Sequence, residues 1–213
     1  MQKFLRTALI GSITFLVLNH LIVFVFSVLM PLLSEFAGIE TYGWFRVKME
    51  SQQVMIIVTN IFFLLSAIAL IMNNKRSALA CIGGGLMGVY GLSVVVRNVL
   101  RYVYMLCGFE ALNNAEYNTL IYIVQIVLWC TALVLVALHY KNKAMLWLGI
   151  VMIILEIVTQ TTWFLFLHEP TSYMGYYSMA AAVSGFALFV IELIYLVIWL
   201  RYTTPKSIDK SHK

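Results

Sequence analysis

Six apolar runs, each long enough to cross a lipid bilayer, dominate this sequence. A membrane-spanning helix needs about 20 mostly apolar residues, and only helices and closed barrels satisfy their backbone hydrogen bonds within lipid. The chain is 62% hydrophobic and 11% charged, whereas about 25% of residues are charged in ordinary soluble domains. The sequence therefore predicts an all-α, polytopic integral membrane helix bundle with six transmembrane helices. The predicted spans are approximately residues 7–33, 54–72, 78–106, 118–139, 144–167 and 178–202.

The length of the chain limits the number of domains. Six spans with short connectors use nearly all of the 213 residues, which predicts a single transmembrane domain over 1–213 and no separate soluble catalytic domain. Residues 203–213 are polar and are expected to form a flexible cytoplasmic tail. The first apolar run exceeds the roughly 7–15 residues of a signal peptide core and is followed by no small-residue cleavage site. We therefore expect an uncleaved first span.

The distribution of basic residues predicts the orientation. Lys and Arg near span ends favour the cytoplasmic side. Placing the N-terminus in the cytoplasm puts ten of the fourteen basic residues on that side, so both the N-terminus and the C-terminus are expected to be cytoplasmic. The expected location is the bacterial cytoplasmic (inner) membrane. The ten residues are Lys3, Arg6, Lys75, Arg76, Lys141, Lys143, Arg201, Lys206, Lys210 and Lys213.

The stretch Cys81–Cys107 in the third span has two unusual faces. On a helical wheel of about 100° per residue, Gly84, Gly88 and Gly91 share one face, with a spacing that lets another helix backbone approach closely. Arg97 falls on nearly the opposite face, together with Arg101, Tyr90 and Val94. Because neither face suits lipid, this helix is expected to be central in the bundle.

Several polar side chains lie deep within the predicted spans. A charged side chain at the bilayer centre costs at least about 2.5–3.5 kcal/mol on insertion scales. Glu156 and Glu192 are therefore expected to face the bundle interior. We predict a water-accessible cavity that opens outward, with His20 at its floor. The candidate ligand-binding residues are Arg97, Arg101, Glu156, Gln160, Asn60, His20 and Glu192.

The sequence offers little sign of metal or cofactor chemistry. Its three cysteines lack C-x-x-C spacing and have no neighbouring His in sequence, so neither a metal site nor a disulfide framework is expected. His168 and Glu169 begin like the zinc motif H-E-x-x-H, but Ser172 occupies the position of the second His. No catalytic residue, no metal ligand and no cofactor is predicted. The net charge of +5 is spread over span ends and does not indicate a nucleic acid partner.

Four functions are considered, of which a channel would require an oligomer, because one six-helix bundle this rich in Phe, Leu and Ile offers little polar lining. The leading hypothesis is a small multi-pass transporter, or a membrane-embedded solute-binding subunit, that recognises a small anionic or zwitterionic solute through Arg97 and Glu156. The first alternative is a structural or accessory membrane protein whose polar side chains only hold the helices together. The second is an intramembrane enzyme on a lipid-borne substrate, with His20 and Glu156 or Glu192 as acid and base, although an enzyme is the less favoured outcome. Expected partners are the lipid bilayer, a small-molecule solute, and a membrane protein partner or further copies of the chain as a homo-oligomer.

Overall fold

The computed structural model describes residues 2–30, 36, 42–107, 115–168 and 174–203. The described residues are helical apart from short turns, and six helices are long and apolar enough to cross a membrane. The prediction of a six-span membrane helix bundle is therefore confirmed. The helices are α1 (Gln2–Phe24), α2 (Tyr42–Asn73), α3 (Ala78–Cys107), α4 (Ala115–His139), α5 (Lys143–His168) and α6 (Met174–Tyr202), and a π-helical turn, Val25–Leu29, continues α1.

Helix α2 is longer than the predicted second span. It is one helix of 32 residues, about 48 Å long at a rise of about 1.5 Å per residue. Since the hydrocarbon layer is about 30 Å thick, α2 extends beyond it into residues 42–53, which lie outside the predicted spans. Residues 44–53 contain neither Pro nor Gly and include the helix formers Met49, Glu50 and Gln52, which lets the helix continue.

The six helices form a ring. Each helix packs against its neighbours in the chain, from α1 with α2 to α5 with α6, and α6 returns to contact α1. The contact between α1 and α6 is the least extensive of these. It includes His20 stacked on Phe189, with 3.8 Å between the ring centroids. The ring therefore has an interior side and a lipid-facing side.

The glycine face of α3 packs against α2. A Cβ atom added to Gly84 would lie 2.7 Å from the side chain of Ile71 and 3.1 Å from the carbonyl oxygen of Ala67. A Cβ atom added to Gly91 would lie 3.0 Å from the carbonyl oxygen of Asn60. The two backbones approach this closely because glycine has no side chain, as the spacing predicted.

Helix α3 is nevertheless not central in the bundle, so that prediction is wrong. Its side chains Ile82, Val89 and Leu92 are each more than half exposed, at 55%, 54% and 53%. These residues form a continuous apolar side that suits lipid. The glycine and arginine faces occupy only part of the helix circumference, which leaves this third side free to face outward.

Packed apolar side chains fill the ring at one end. We call this the basic end: it contains the start of α1, the end of α6 and the turns at 74–77 and 140–142. Leu9, Met87, Leu133, Tyr195 and Trp199 are fully buried there. The hydroxyl of Tyr195 donates a hydrogen bond to the carbonyl oxygen of Leu133, which joins α6 to α4. The interior of the ring is therefore closed by protein at the basic end.

We expect Gly84→Val to lower the free energy of unfolding by about 1–3 kcal/mol, because the added side chain meets α2 in a packed contact. The matched control is Gly85→Val, since a Cβ atom at Gly85 has no neighbour within 4 Å. The two changes carry the same intrinsic helix preference. Thermal unfolding in detergent compares them, and equal midpoints for both variants would contradict the close α2–α3 contact.

Candidate functional site

Glu156 lies on the interior side of α5. The lipid-facing side of this helix is marked by Ile154, Ile157 and Val158, which are 55%, 60% and 43% exposed. On the helical wheel Glu156 lies about 150° from the centre of that group. The side chain of Gln160, one turn farther along the same helix, lies near its carboxyl group. Glu156 and Gln160 therefore face away from lipid together.

Glu192 lies on the interior side of α6. Val183, Phe186 and Ile194 are 61%, 65% and 44% exposed and mark the lipid-facing side, and Glu192 falls nearly opposite them on the wheel. The residue is deep within the protein yet keeps part of its surface accessible. Glu192 therefore lies away from lipid, as Glu156 does.

A hydrogen bond between α5 and α6 shows how far apart the two acids lie along the helix axes. Thr159 Oγ1 donates to Ser184 Oγ at 2.9 Å. If these two residues are level, Glu192 lies about 8 Å nearer the basic end than Glu156, at about 1.5 Å per residue. The two carboxyl groups are close enough to interact electrostatically. Within the described residues neither is paired with a cation.

Tyr90 on α3 lies within electrostatic range of both acids. Its ring stacks on Trp129 with 4.8 Å between centroids and 27° between planes, which fixes its position against α4. Glu192, Glu156 and Arg97 all act electrostatically on its hydroxyl group. Tyr90 is also deep in the protein and partly accessible. We call Tyr90, Glu156 and Glu192 the acidic site.

Arg97 lies farther from the basic end, at the contact between α3 and α4. The carbon Cζ of its guanidinium group is 3.9 Å from the centroid of the Tyr122 ring, a cation–π geometry. Its Nη1 atom is buried and has no hydrogen-bond partner. Arg97 lies two turns from Tyr90, about 10 Å along α3, and makes no ion pair with Glu156 among the described contacts.

The other predicted site residues are not joined to the acidic site by any described contact. Asn60 donates from Nδ2 to the carbonyl oxygen of Ile56 at 2.8 Å, and its Oδ1 is buried without a partner. Nδ1 of His20 is 3.0 Å from the carbonyl oxygen of Leu16. Because a carbonyl only accepts, Nδ1 carries the proton and Nε2 is the unprotonated nitrogen of the neutral ring. The Arg101 side chain lies outside the described residues.

Sequence reasoning missed two residues near the acids. The helical wheel already places Tyr90 on the Arg97 face of α3, but Tyr90 is not among the predicted ligand-binding residues. Cys130 on α4 is buried, at 4% exposure, and both glutamates act on it electrostatically. No sequence signal marks Cys130, because its position depends on how α4 packs against α5 and α6.

No group of three His, Cys, Asp or Glu side chains among the described residues is placed to hold a metal ion. Comparison with known proteins gives no match, whether to a family model, a curated protein or a solved structure. The fold and the site therefore define a class: a multi-pass membrane protein with two carboxyl groups inside a ring of six helices.

We expect Glu192→Gln to raise the free energy of unfolding at pH 8 by about 1 kcal/mol, since functional groups are often held at a cost in stability. The change removes an unpaired carboxyl group from the ring interior and keeps the side-chain shape. Thermal unfolding in neutral detergent measures the shift.

Gln125→Leu provides the contrast. Gln125 is 4% exposed and donates from Nε2 to Ser93 Oγ at 3.0 Å, so its loss should destabilise the protein by about 0.6 kcal/mol, the average for such interhelical bonds. A destabilised Glu192→Gln variant would show that the carboxyl group serves packing instead.

Proposed function

We propose that the protein is a small multi-pass transporter, or a membrane-embedded solute-binding subunit, for a small zwitterionic solute. The observation that carries this proposal is the acidic site: two carboxyl groups within electrostatic range of Tyr90, partly accessible and without a paired cation among the described residues. Buried carboxylates are unfavourable unless they are paired. An ammonium group on a solute would supply the missing charge.

Arg97 supports recognition of a negative group on the same solute. A guanidinium group binds carboxylate or phosphate through its fork of N–H donors, and Nη1 of Arg97 has no acceptor. Because Arg97 lies about 10 Å along α3 from Tyr90, a solute with separated opposite charges fits this arrangement. A purely anionic solute would be repelled by both glutamates. The packed residues at the basic end favour access from the opposite end of the ring.

An accessory role is the second candidate, and two interhelical hydrogen bonds favour it. Gln125 bonds Ser93 between α4 and α3, and Thr159 bonds Ser184 between α5 and α6. Bonds of this kind hold helices together without any solute. The intramembrane enzyme hypothesis has no comparable support, since no described contact brings His20 to either glutamate.

We expect a zwitterion, but neither succinate nor choline, to raise the thermal unfolding midpoint of the purified protein. Glycine betaine and 4-aminobutyrate are suitable zwitterionic probes because they differ in charge separation. Glu156→Gln and Arg97→Ala should each weaken binding at least about tenfold, because each change removes the free energy of about one charge-assisted hydrogen bond. Arg201→Gln is the control, because Arg201 is exposed at the basic end and lies outside the acidic site.

Unchanged affinity in both Glu156→Gln and Arg97→Ala would remove the transport proposal. An accessory role would instead predict that Glu156→Gln lowers stability or releases a co-purifying membrane protein, with no effect of any solute on wild type.

We also infer that both chain termini lie in the cytoplasm, in a bacterial inner membrane. The ring brings the basic residues of separate turns to one end: Ser77 Oγ is 2.9 Å from His139 Nδ1, and Asn142 Nδ2 donates to the Tyr202 hydroxyl at 2.8 Å. This concentration of positive charge favours the cytoplasmic side. Green fluorescent protein fused to the C-terminus should fluoresce, and alkaline phosphatase at the same position should be inactive. An active phosphatase fusion would reverse the orientation.

A further inference from the structure

A polar cavity lies at the basic end, away from the acidic site. It has a volume of about 270 Å³ and lies where the start of α1 meets the ends of α2, α4 and α6. Asn73, Tyr140 and Tyr202 are among the residues that line it. On α6, the fully buried side chains of Tyr195 and Trp199 lie between this cavity and the acidic site. The two sites are therefore separated by packed protein.

Hydrogen-bond donors line this cavity. Nδ2 of Asn73 is buried and has no hydrogen-bond partner. The Tyr202 oxygen accepts a bond from Asn142, so the proton of Tyr202 remains available for donation. Burial raises the pKa of Tyr140, which keeps its hydroxyl group protonated. No carboxylate is among the lining residues, so the cavity offers donors without a fixed negative charge.

Positive charge lies directly beside these donors. A neighbouring open cleft of about 480 Å³ shares Asn73 and Asn74 with the first cavity and is lined also by Lys75 and Arg76. Both cationic side chains are exposed, and the described side chains at the basic end include no Asp or Glu. Membrane orientation explains why cations lie on this side. It does not explain a cavity with a buried amide donor that lacks an acceptor.

We propose that the cavity and the adjoining cleft bind a phosphate group, with Lys75 and Arg76 supplying the charge and Asn73, Tyr140 and Tyr202 donating hydrogen bonds. A phosphate group has several acceptor oxygens and forms strong charge-assisted hydrogen bonds. The site lies at the membrane surface, where the group can come from the headgroup of an anionic phospholipid or from free phosphate. This proposal does not depend on the acidic site.

Two binding measurements on the purified protein distinguish the sources. Native mass spectrometry compares retention of phosphatidylglycerol with that of phosphatidylcholine. Thermal unfolding compares inorganic phosphate with chloride at equal ionic strength. Preferential retention of phosphatidylglycerol assigns the site to a lipid headgroup, and stabilisation by inorganic phosphate assigns it to the free ion.

Variants test the site itself. We expect Arg76→Gln and Tyr202→Phe each to weaken binding of the preferred probe by about tenfold. Lys143→Gln is the matched charge control, because Lys143 is exposed at the same end and lines neither cavity. It should change binding by less than about twofold. Glu156→Gln should leave phosphate binding intact, which separates failure of this proposal from failure of the transport proposal.

Two results would overturn the phosphate site. The first is an equal loss of binding in Lys143→Gln and Arg76→Gln, which would show that the general positive field attracts the probe. The second is the absence of any preference for either phosphate probe over its control. Exposed Arg76 can be replaced without disturbing the packed core, so the unfolding midpoint of Arg76→Gln without probe should match wild type. Tyr202→Phe retains the aromatic ring but loses the hydrogen bond from Asn142, so its midpoint should fall only slightly.

Discussion

Charged groups are poorly solvated inside a bilayer, and this constraint governs how the helices of this protein are oriented. A carboxyl group on the lipid side of a helix would lie in hydrocarbon, so Glu156 and Glu192 occupy the opposite sides of α5 and α6. The exposed sides of the same helices carry Ile157 and Phe186. With lipid outside and packed protein at the basic end, a polar partner of these two acids has to come from the interior of the ring.

Close packing between neighbouring helices creates the ring that surrounds these acids. Gly84 and Gly91 bring α3 against α2, which leaves the arginine side of α3 directed towards α4. Trp129 then positions Tyr90 by a ring stack, and Thr159 sets the level of α5 against α6. The charged residues are thus held in position by uncharged neighbours. The least extensive of the six contacts that close the ring, between α1 and α6, is also where His20 lies.

The two polar sites differ in charge and in depth. The acidic site is inside the ring, carries carboxyl groups and lacks a described cation, whereas the cleft at the basic end has cations and donors and lacks a described carboxylate. Tyr195 and Trp199 separate them. The cationic and anionic groups proposed for the two sites would therefore not compete with each other.

The sequence alone determined the six spans, the collection of basic residues at one end and the interior position of the glutamates, because lipid acts on each span through its length, composition and charge. It also predicted the glycine contact from a local spacing. Only the tertiary structure decided that α3 faces lipid on one side, that Arg97 lies over Tyr122 without pairing with Glu156, and that Cys130 lies near both acids. These outcomes depend on which helix sides meet across the ring, and that choice comes from packing between residues far apart in the chain.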